Sequence, residues 1–312
     1  MTKASIIIPA YNCENTIKKL VDELFLTFAD ENIEIVIIND DSLDNTHKIC
    51  MNLHEKFKHK LTYARLMKNS GEHNAVMAGL RLSQGEKVFI IDDDFQNPPS
   101  ELKKIYEFSY NNDYDVVYSK YPKKKHSIFR NIASKFNNMS ANFFINKPKN
   151  IYLSSFKSIN KSVVKKIIDY DGPNPYIDGL IFDITSNIGQ IEVNHYDREE
   201  GMSGYTFKKL LKLFSNLLFN FTLIPVRFLT IVGLGMIFFS TVFISVTIFE
   251  RIYNPNIPQG FATTVILLVF FSGLNLFFLG VLGEYIGKIL KTVNKKPQYS
   301  IGEIYSKKID PQ

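Results

Sequence analysis

The chain has 312 residues, 45% of them hydrophobic and 22% charged, and a formal net charge of +6. That gives room for one large domain with a membrane appendix, or for two small domains, of ordinary globular composition. The two cysteines, Cys13 and Cys50, form neither a metal-ligand spacing nor a disulfide framework, which suits a reducing compartment.

Residues 5–9 are short, apolar and followed by polar residues, which predicts a first strand and not a signal peptide. Residues 15–29 then predict a helix with Ile17, Leu20, Val21, Leu24 and Phe25 on one side. A second strand is expected at 33–38, a helix at 44–56, a third strand at 61–65 and a helix near 73–83. A fourth strand follows at 87–91, then a helix at 100–111 opened by a serine cap, and a short strand around Val116 and Val117. Apolar strands alternating with helices argue for an α/β, Rossmann-like and mostly parallel sheet covered on both faces.

From 120 to 150 the pattern changes. Lys123, Lys124 and Lys125 form a basic run, and 128–145 reads as an amphipathic helix. Pro173 and Pro175 break the chain before an apolar stretch at 177–184. Residues 205–220 are amphipathic, with Phe207, Leu210, Leu211 and Phe214 opposite Lys208, Lys209 and Lys212, as in a helix lying in a membrane interface. There is no internal repeat.

Residues 228–249 and 261–283 contain no charge, and each run can cross ~30 Å of hydrocarbon at ~1.5 Å per residue. Lys208, Lys209, Lys212 and Arg227 precede the first run, and Lys288, Lys291, Lys295 and Lys296 follow the second. The positive-inside rule then puts both flanks and both termini in the cytosol of a multi-pass protein of the inner or plasma membrane. Because these lysines bracket the bilayer, they fit anionic lipid and not a nucleic acid. The expected organisation is a catalytic domain at 1–204, an interfacial helix at 205–224 and a two-helix transmembrane hairpin at 225–287. The hairpin's spans lie at about 226–249 and 261–283, and a basic tail covers 288–312.

Two acidic clusters fall where a doubly wound sheet places ligands. Asn39-Asp40-Asp41 ends the second strand and Asp92-Asp93-Asp94 the fourth, so both face one crevice. Three adjacent aspartates repel one another, and a divalent cation relieves that; hard carboxylate oxygens suit Mg²⁺ or Mn²⁺. Extended backbone points Asp92 and Asp94 to one side and Asp93 to the other, which makes the first two the candidate metal ligands.

The segments Ser5-Ile6-Ile7-Ile8-Pro9-Ala10-Tyr11-Asn12, Asn39-Asp40-Asp41-Ser42-Leu43-Asp44 and Asp92-Asp93-Asp94-Phe95-Gln96-Asn97-Pro98-Pro99 resemble the ordered signatures of family 2 glycosyltransferases with the GT-A fold. Together with Asn69-Ser70-Gly71-Glu72-His73-Asn74 and Asp197-Arg198-Glu199-Glu200-Gly201-Met202-Ser203-Gly204-Tyr205, they resemble the polyisoprenyl-phosphate branch. The likeness covers nearly the whole chain, including the two C-terminal spans.

The resemblance implies metal-dependent, inverting transfer from a nucleotide sugar, a UDP-sugar first among them, to a polyprenyl phosphate for cell-envelope glycan work. It implies that Pro9, Tyr11, Asn12, Asp40 and Asp92 bind the nucleotide, and that Asp92, Asp94 and Gln96 hold the metal. Asp94 and Arg198 would be catalytic. Arg130, Lys124, Ser203 and Tyr205 would receive the acceptor phosphate.

Three departures stand out. The usual Asp-Asp-Gly-Ser is Asn39-Asp40-Asp41-Ser42, the usual Ser-Lys-Tyr is Ser203-Gly204-Tyr205, and the usual Asp-Phe-Arg is Ser155-Phe156-Lys157. No Walker A loop, dinucleotide fingerprint, His-Glu-x-x-His or Gly-x-Ser-x-Gly is present. Two other readings stay open: transfer to a saccharide hydroxyl, with Asp178 as base, and a non-catalytic scaffold for a flippase or partner enzyme. A homo-oligomer is also left open.

Overall fold

A computed structural model describes residues 2–121, 151–172, 175–194, 196, 224–253, 260–294 and 297–306. It divides into two compact units, one formed by Met1–Tyr205 with Lys295–Gln312 and the other by Thr206–Asn294.

The first unit is built on one eight-stranded sheet. Its chain order runs β1 (Ala4–Ala10), α1 (Ile17–Thr27), β2 (Ile33–Asn39), α2 (Thr46–Phe57), β3 (Leu61–Leu66), α3 (Glu72–Leu82), β4 (Lys87–Ile90) and α4 (Pro99–Asn111). After these come β5 (Val116–Lys120), β6 (Lys157–Asn160), α5 (Lys161–Ile168), α6 (Ile177–Ile184), β7 (Ile188–Glu192) and, far along the chain, β8 (Ile301–Tyr305). The strand order is β7-β5-β6-β4-β1-β2-β3-β8. The central β4-β1-β2-β3 block is parallel, as is the β5–β7 pair. Strand β6 runs antiparallel between β4 and β5, and β8 runs antiparallel to β3.

The physical basis of the central block is plain. Every residue of β2 is buried, as is β1 apart from half-buried Pro9, because helices cover both faces of the sheet. One apolar layer sets Ile6, Ile8, Ile35 and Ile37 under α1 and α4, and the other sets Ile7, Val36 and Ile38 under α3. Pro9 sits beyond the last β1–β4 pair, Ile7 with Ile90, where its missing N–H costs no bond to β4.

Helix α5 and strand β7 were not foreseen from sequence, and three further elements differ from the sequence expectation. The fourth helix starts at Pro99 and not at a Ser100 cap: Pro98 enters it in extended conformation and no side chain caps it. Strand β6 carries Lys157, Ser158 and Asn160, and such polar residues give no apolar run. The stretch 288–312, expected to be a tail, supplies strand β8.

The second unit contains α7 (Ile224–Tyr253) and α8 (Phe261–Val293), which touch each other. Phe238, Phe239, Leu276 and Phe277 are exposed on them, more apolar surface than a soluble helix pair leaves uncovered. Among the described residues, one window is long and apolar enough to cross a membrane: Phe270–Gly287, with a mean hydropathy of 1.4 and no residue buried.

Candidate active site

Strands β4, β1 and β2 are neighbours and parallel, so their carboxyl ends open on one edge. That edge holds Pro9, Tyr11, Asn12, Asp40, Asp92, Asp94 and Gln96. Arg130, Lys124, Arg198, Ser203 and Tyr205 lie outside the described residues, as does most of the expected interfacial helix.

The strand ends are locked to one another. The Tyr11 N–H donates to Asp93 Oδ2 at 3.1 Å, tying β1 to β4. The Asn12 N–H donates to Ser42 Oγ at 3.0 Å, and Asn12 Oδ1 accepts from the Leu43 N–H at 2.9 Å, tying β1 to the turn after β2. Asn12, Asp41 and Phe95 have φ of 52°, 56° and 58°, so three non-glycine residues hold left-handed backbone at this edge. Asn and Asp tolerate that region, whereas for Phe95 it is strained and has to be imposed by its surroundings. Tyr11 is 46% exposed.

Asp40 is a buried clamp. Its two oxygens accept the N–H groups of Ser70 at 2.7 Å and Gly71 at 2.8 Å, and burial raises its pKa against these bonds. Gly71 has φ of 91° immediately before α3, a conformation open to glycine. The neighbouring Asp41 pairs with Arg65 at 2.9 Å.

The aspartates after β4 have separate partners. Asp92 Oδ2 accepts the Ser155 hydroxyl at 2.6 Å, and burial together with the nearby Glu72 carboxylate pushes its pKa up to about 7. Asp93 accepts from Tyr11 and from the Cys13 thiol, and burial raises it to about 6. Asp94 Oδ1 accepts the Gln96 N–H at 3.1 Å, closing the turn.

Glu72 was given no role from sequence, although it lies in the Asn69–Asn74 segment and directly follows a glycine at a helix start. It opens onto solvent yet lies deep among protein atoms, so desolvation raises its pKa, and Asp178, Asp93 and Asp94 add to the rise. His73 packs its ring edge-on to Tyr176 at 5.1 Å, and burial lowers its pKa.

Asp92 and Asp94 fit a divalent cation in one specific sense. Among the described residues, no three His, Cys, Asp or Glu side chains converge on a common point. The repulsion that Glu72 and Asp94 exert on Asp92 is the kind a cation relieves. One or two carboxylates completed by phosphate oxygens and water form a site typical of Mg²⁺.

Below this floor lies a buried ion pair. Lys157 Nζ pairs with Asp178 Oδ1, and Tyr118 donates its hydroxyl to the same oxygen at 2.7 Å. The two charged residues are 3% and 8% exposed. Asp178, the one carboxylate expected to serve as base toward a hydroxyl acceptor, is therefore already engaged twice.

The sheet order and the two acidic turns at one sheet edge define the class, a glycosyltransferase of GT-A architecture. The chain belongs to the family described as Glycosyl transferase family 2, whose sequence model matches residues 5–168. Similar proteins include the undecaprenyl-phosphate 4-deoxy-4-formamido-L-arabinose transferases of Photorhabdus laumondii and Proteus mirabilis. Each is 28% identical, with 97% of this chain and 94% of the relative covered. A solved structure with a similar fold is glucosyl-3-phosphoglycerate synthase from Mycobacterium tuberculosis, in complex with Mn²⁺, uridine diphosphate and phosphoglyceric acid. Its TM-score is 0.52 at 15% identity, over 69% of this chain and 75% of that one.

Proposed function

We infer that the chain transfers a sugar, with inversion, from a nucleoside-diphosphate donor to a polyprenyl phosphate of undecaprenyl type. The observation that carries this reading is the sequestration of Asp178 by Lys157 and Tyr118. A hydroxyl acceptor needs a free carboxylate to take its proton, whereas a phosphate monoester is already anionic at neutral pH. The names of the full-length relatives, which specify an undecaprenyl-phosphate acceptor, support the same reading.

In this reading a phosphate oxygen of the lipid attacks the anomeric carbon. The bond to the donor's diphosphate breaks, and the diphosphate leaves with the electron pair. The exposed Tyr11, with Pro9, Asn12 and Asp40, forms the nucleotide pocket, a UDP-sugar being the first donor to try. Asp92, Asp94 and Gln96 would hold Mg²⁺ or Mn²⁺, which neutralises charge on the leaving diphosphate. Arg198 serves the same charge, while Arg130, Lys124, Ser203 and Tyr205 receive the acceptor phosphate.

The reaction takes place at the cytosolic face of the inner or plasma membrane. Two spans at about 226–249 and 261–283 are supported by the uncharged runs and their basic flanks. The stretches before and after 206–294 also fold into one compact unit, which favours an even number of crossings.

The test supplies the full chain in detergent with undecaprenyl phosphate, Mg²⁺ or Mn²⁺ and a panel of nucleotide sugars. A sugar-linked lipid phosphate is the expected product and identifies the donor. Donor hydrolysis without any lipid product across the panel would overturn the acceptor.

A further inference from the structure

The residues that follow α8 are fastened to the catalytic unit at several points. Gln298 donates from its amide to the carbonyls of Tyr170 and Gly172, both at 2.8 Å. The Arg81 guanidinium lies 5.6 Å over the Tyr299 ring, and the Ser300 carbonyl accepts the Met67 N–H at 2.8 Å. Strand β8 then pairs with β3, setting Tyr305 opposite Tyr63, their rings stacked at 5.8 Å and 17°.

Two of these grips, on Met67 and on Tyr63, lead into the nucleotide edge. Met67 opens the loop whose Ser70 and Gly71 N–H groups hold Asp40. Tyr63, buried beside Tyr305, heads a hydrogen-bonded chain. Asn39 Nδ2 donates to the Tyr63 hydroxyl at 3.0 Å, which leaves that hydroxyl's proton for His47 Nδ1 at 2.7 Å. The imidazole proton then belongs on Nε2, 4.0 Å from Glu303 of β8. From the other side of Asn39, Oδ1 accepts the Ser42 N–H at 2.8 Å, and Ser42 in turn holds Asn12.

We propose that the segment 297–306 is a positioning element for nucleotide binding, with Tyr305 and Glu303 acting through Tyr63 and His47 on the turns that carry Asn12 and Asp40. Asn12 and Asp41 tolerate their left-handed backbone, and the bonds that run from Asn39 through Ser42 to the Asn12 N–H fix the turn around it in one arrangement. The segment touches no reacting atom in this scheme. It ties the chain beyond the long helices to donor affinity, on the premise that nucleotide binds at this edge, as inferred above.

The test measures uridine diphosphate binding by calorimetry and donor kinetics on the full chain in detergent, for wild type, Tyr63→Phe, Tyr305→Ala and Tyr305→Phe. Tyr63→Phe and Tyr305→Ala should weaken binding and raise donor KM by about five- to tenfold, the loss of one hydrogen bond or stack. Their kcat should stay within about twofold, and Tyr305→Phe, which keeps the stacked ring, should restore affinity. Hydrogen exchange supplies a readout independent of ligand: Tyr305→Ala should speed exchange in 39–46 and 67–71 and leave α1 unchanged. Unchanged binding and unchanged exchange in both Tyr63→Phe and Tyr305→Ala overturn the proposal. A wild-type chain that binds no nucleoside diphosphate sinks the nucleotide-edge reading instead, and the exchange result still decides whether β8 holds the turns.

Discussion

Lys157 of β6 and Asp178 of α6 form an ion pair sealed from solvent, with the Tyr118 hydroxyl as third member. Strand register places Tyr118 directly opposite Lys157, so the sheet presents donor and cation together to the first turn of α6. Removing one partner leaves an uncompensated buried charge. Asp178→Asn alone should therefore cost about 3–5 kcal/mol in denaturant melts. The paired change Lys157→Gln with Asp178→Asn keeps shape without charge and should recover most of that loss. Turnover of the folded double variant should stay within roughly tenfold of wild type. A fall of about 10³ or more would return Asp178 to the role of base and revive the hydroxyl-acceptor reading.

Asp94 sits in the turn after β4, closed by its own bond to the Gln96 N–H. Asp94→Ala should abolish metal-dependent transfer, by about 10³ or more, while membrane insertion and thermal stability stay near wild type. Chelation of the wild-type protein should give the same loss and be reversed by Mn²⁺ or Mg²⁺. Undiminished turnover in Asp94→Ala would remove it from the metal site.

The sequence made the central sheet legible because β1, β2 and β4 are buried on both faces and so spell apolar runs. Strands β6 and β8 were not legible for the same reason turned around. Lys157 and Ser158 are buried in β6, the lysine by pairing with Asp178, and β8 is an edge strand with Glu303 and Ile304 exposed. Within the site, the acidic turns announced themselves by composition. Glu72 did not, because a lone acidic residue in a helical first turn is ordinary. The engagement of Asp178 was hidden as well, since Lys157 lies 21 residues away in sequence.

Gly85 marks a close backbone approach at the sheet's amino-terminal end. A Cβ there would stand 2.5 Å from the Ser5 backbone nitrogen and 2.7 Å from the Ala4 carbonyl carbon. Its N–H donates to Ser5 Oγ at 2.8 Å, and that hydroxyl donates to buried Glu34. Main chain cannot yield as a side-chain tip can, so Gly85→Ala should destabilise by about 1–3 kcal/mol, read as a lower melting temperature. Donor KM should not change, because the carboxyl edge lies at the other end of these strands.

Glu31 gives the acid limb of stability its expected sign. It accepts the Tyr106 hydroxyl at 2.6 Å and the ammonium groups of Lys3 and Lys103 at 3.2 and 3.3 Å. The Tyr106 bond leads these in holding its pKa down to about 2, below the ordinary 4.5. A carboxylate depressed on folding contributes stability that is fully present above its unfolded pKa. That contribution is lost as pH falls through the folded value. Between about pH 4.5 and 2 the wild-type melting temperature should therefore drop more steeply than that of Glu31→Gln. At pH 7 the variant should be less stable by about 1–3 kcal/mol, as expected for hydrogen bonds to a charged group. Parallel pH profiles for the two proteins would show that the contacts of Glu31 with Lys3 and with Lys103 and Tyr106 of α4 contribute nothing measurable.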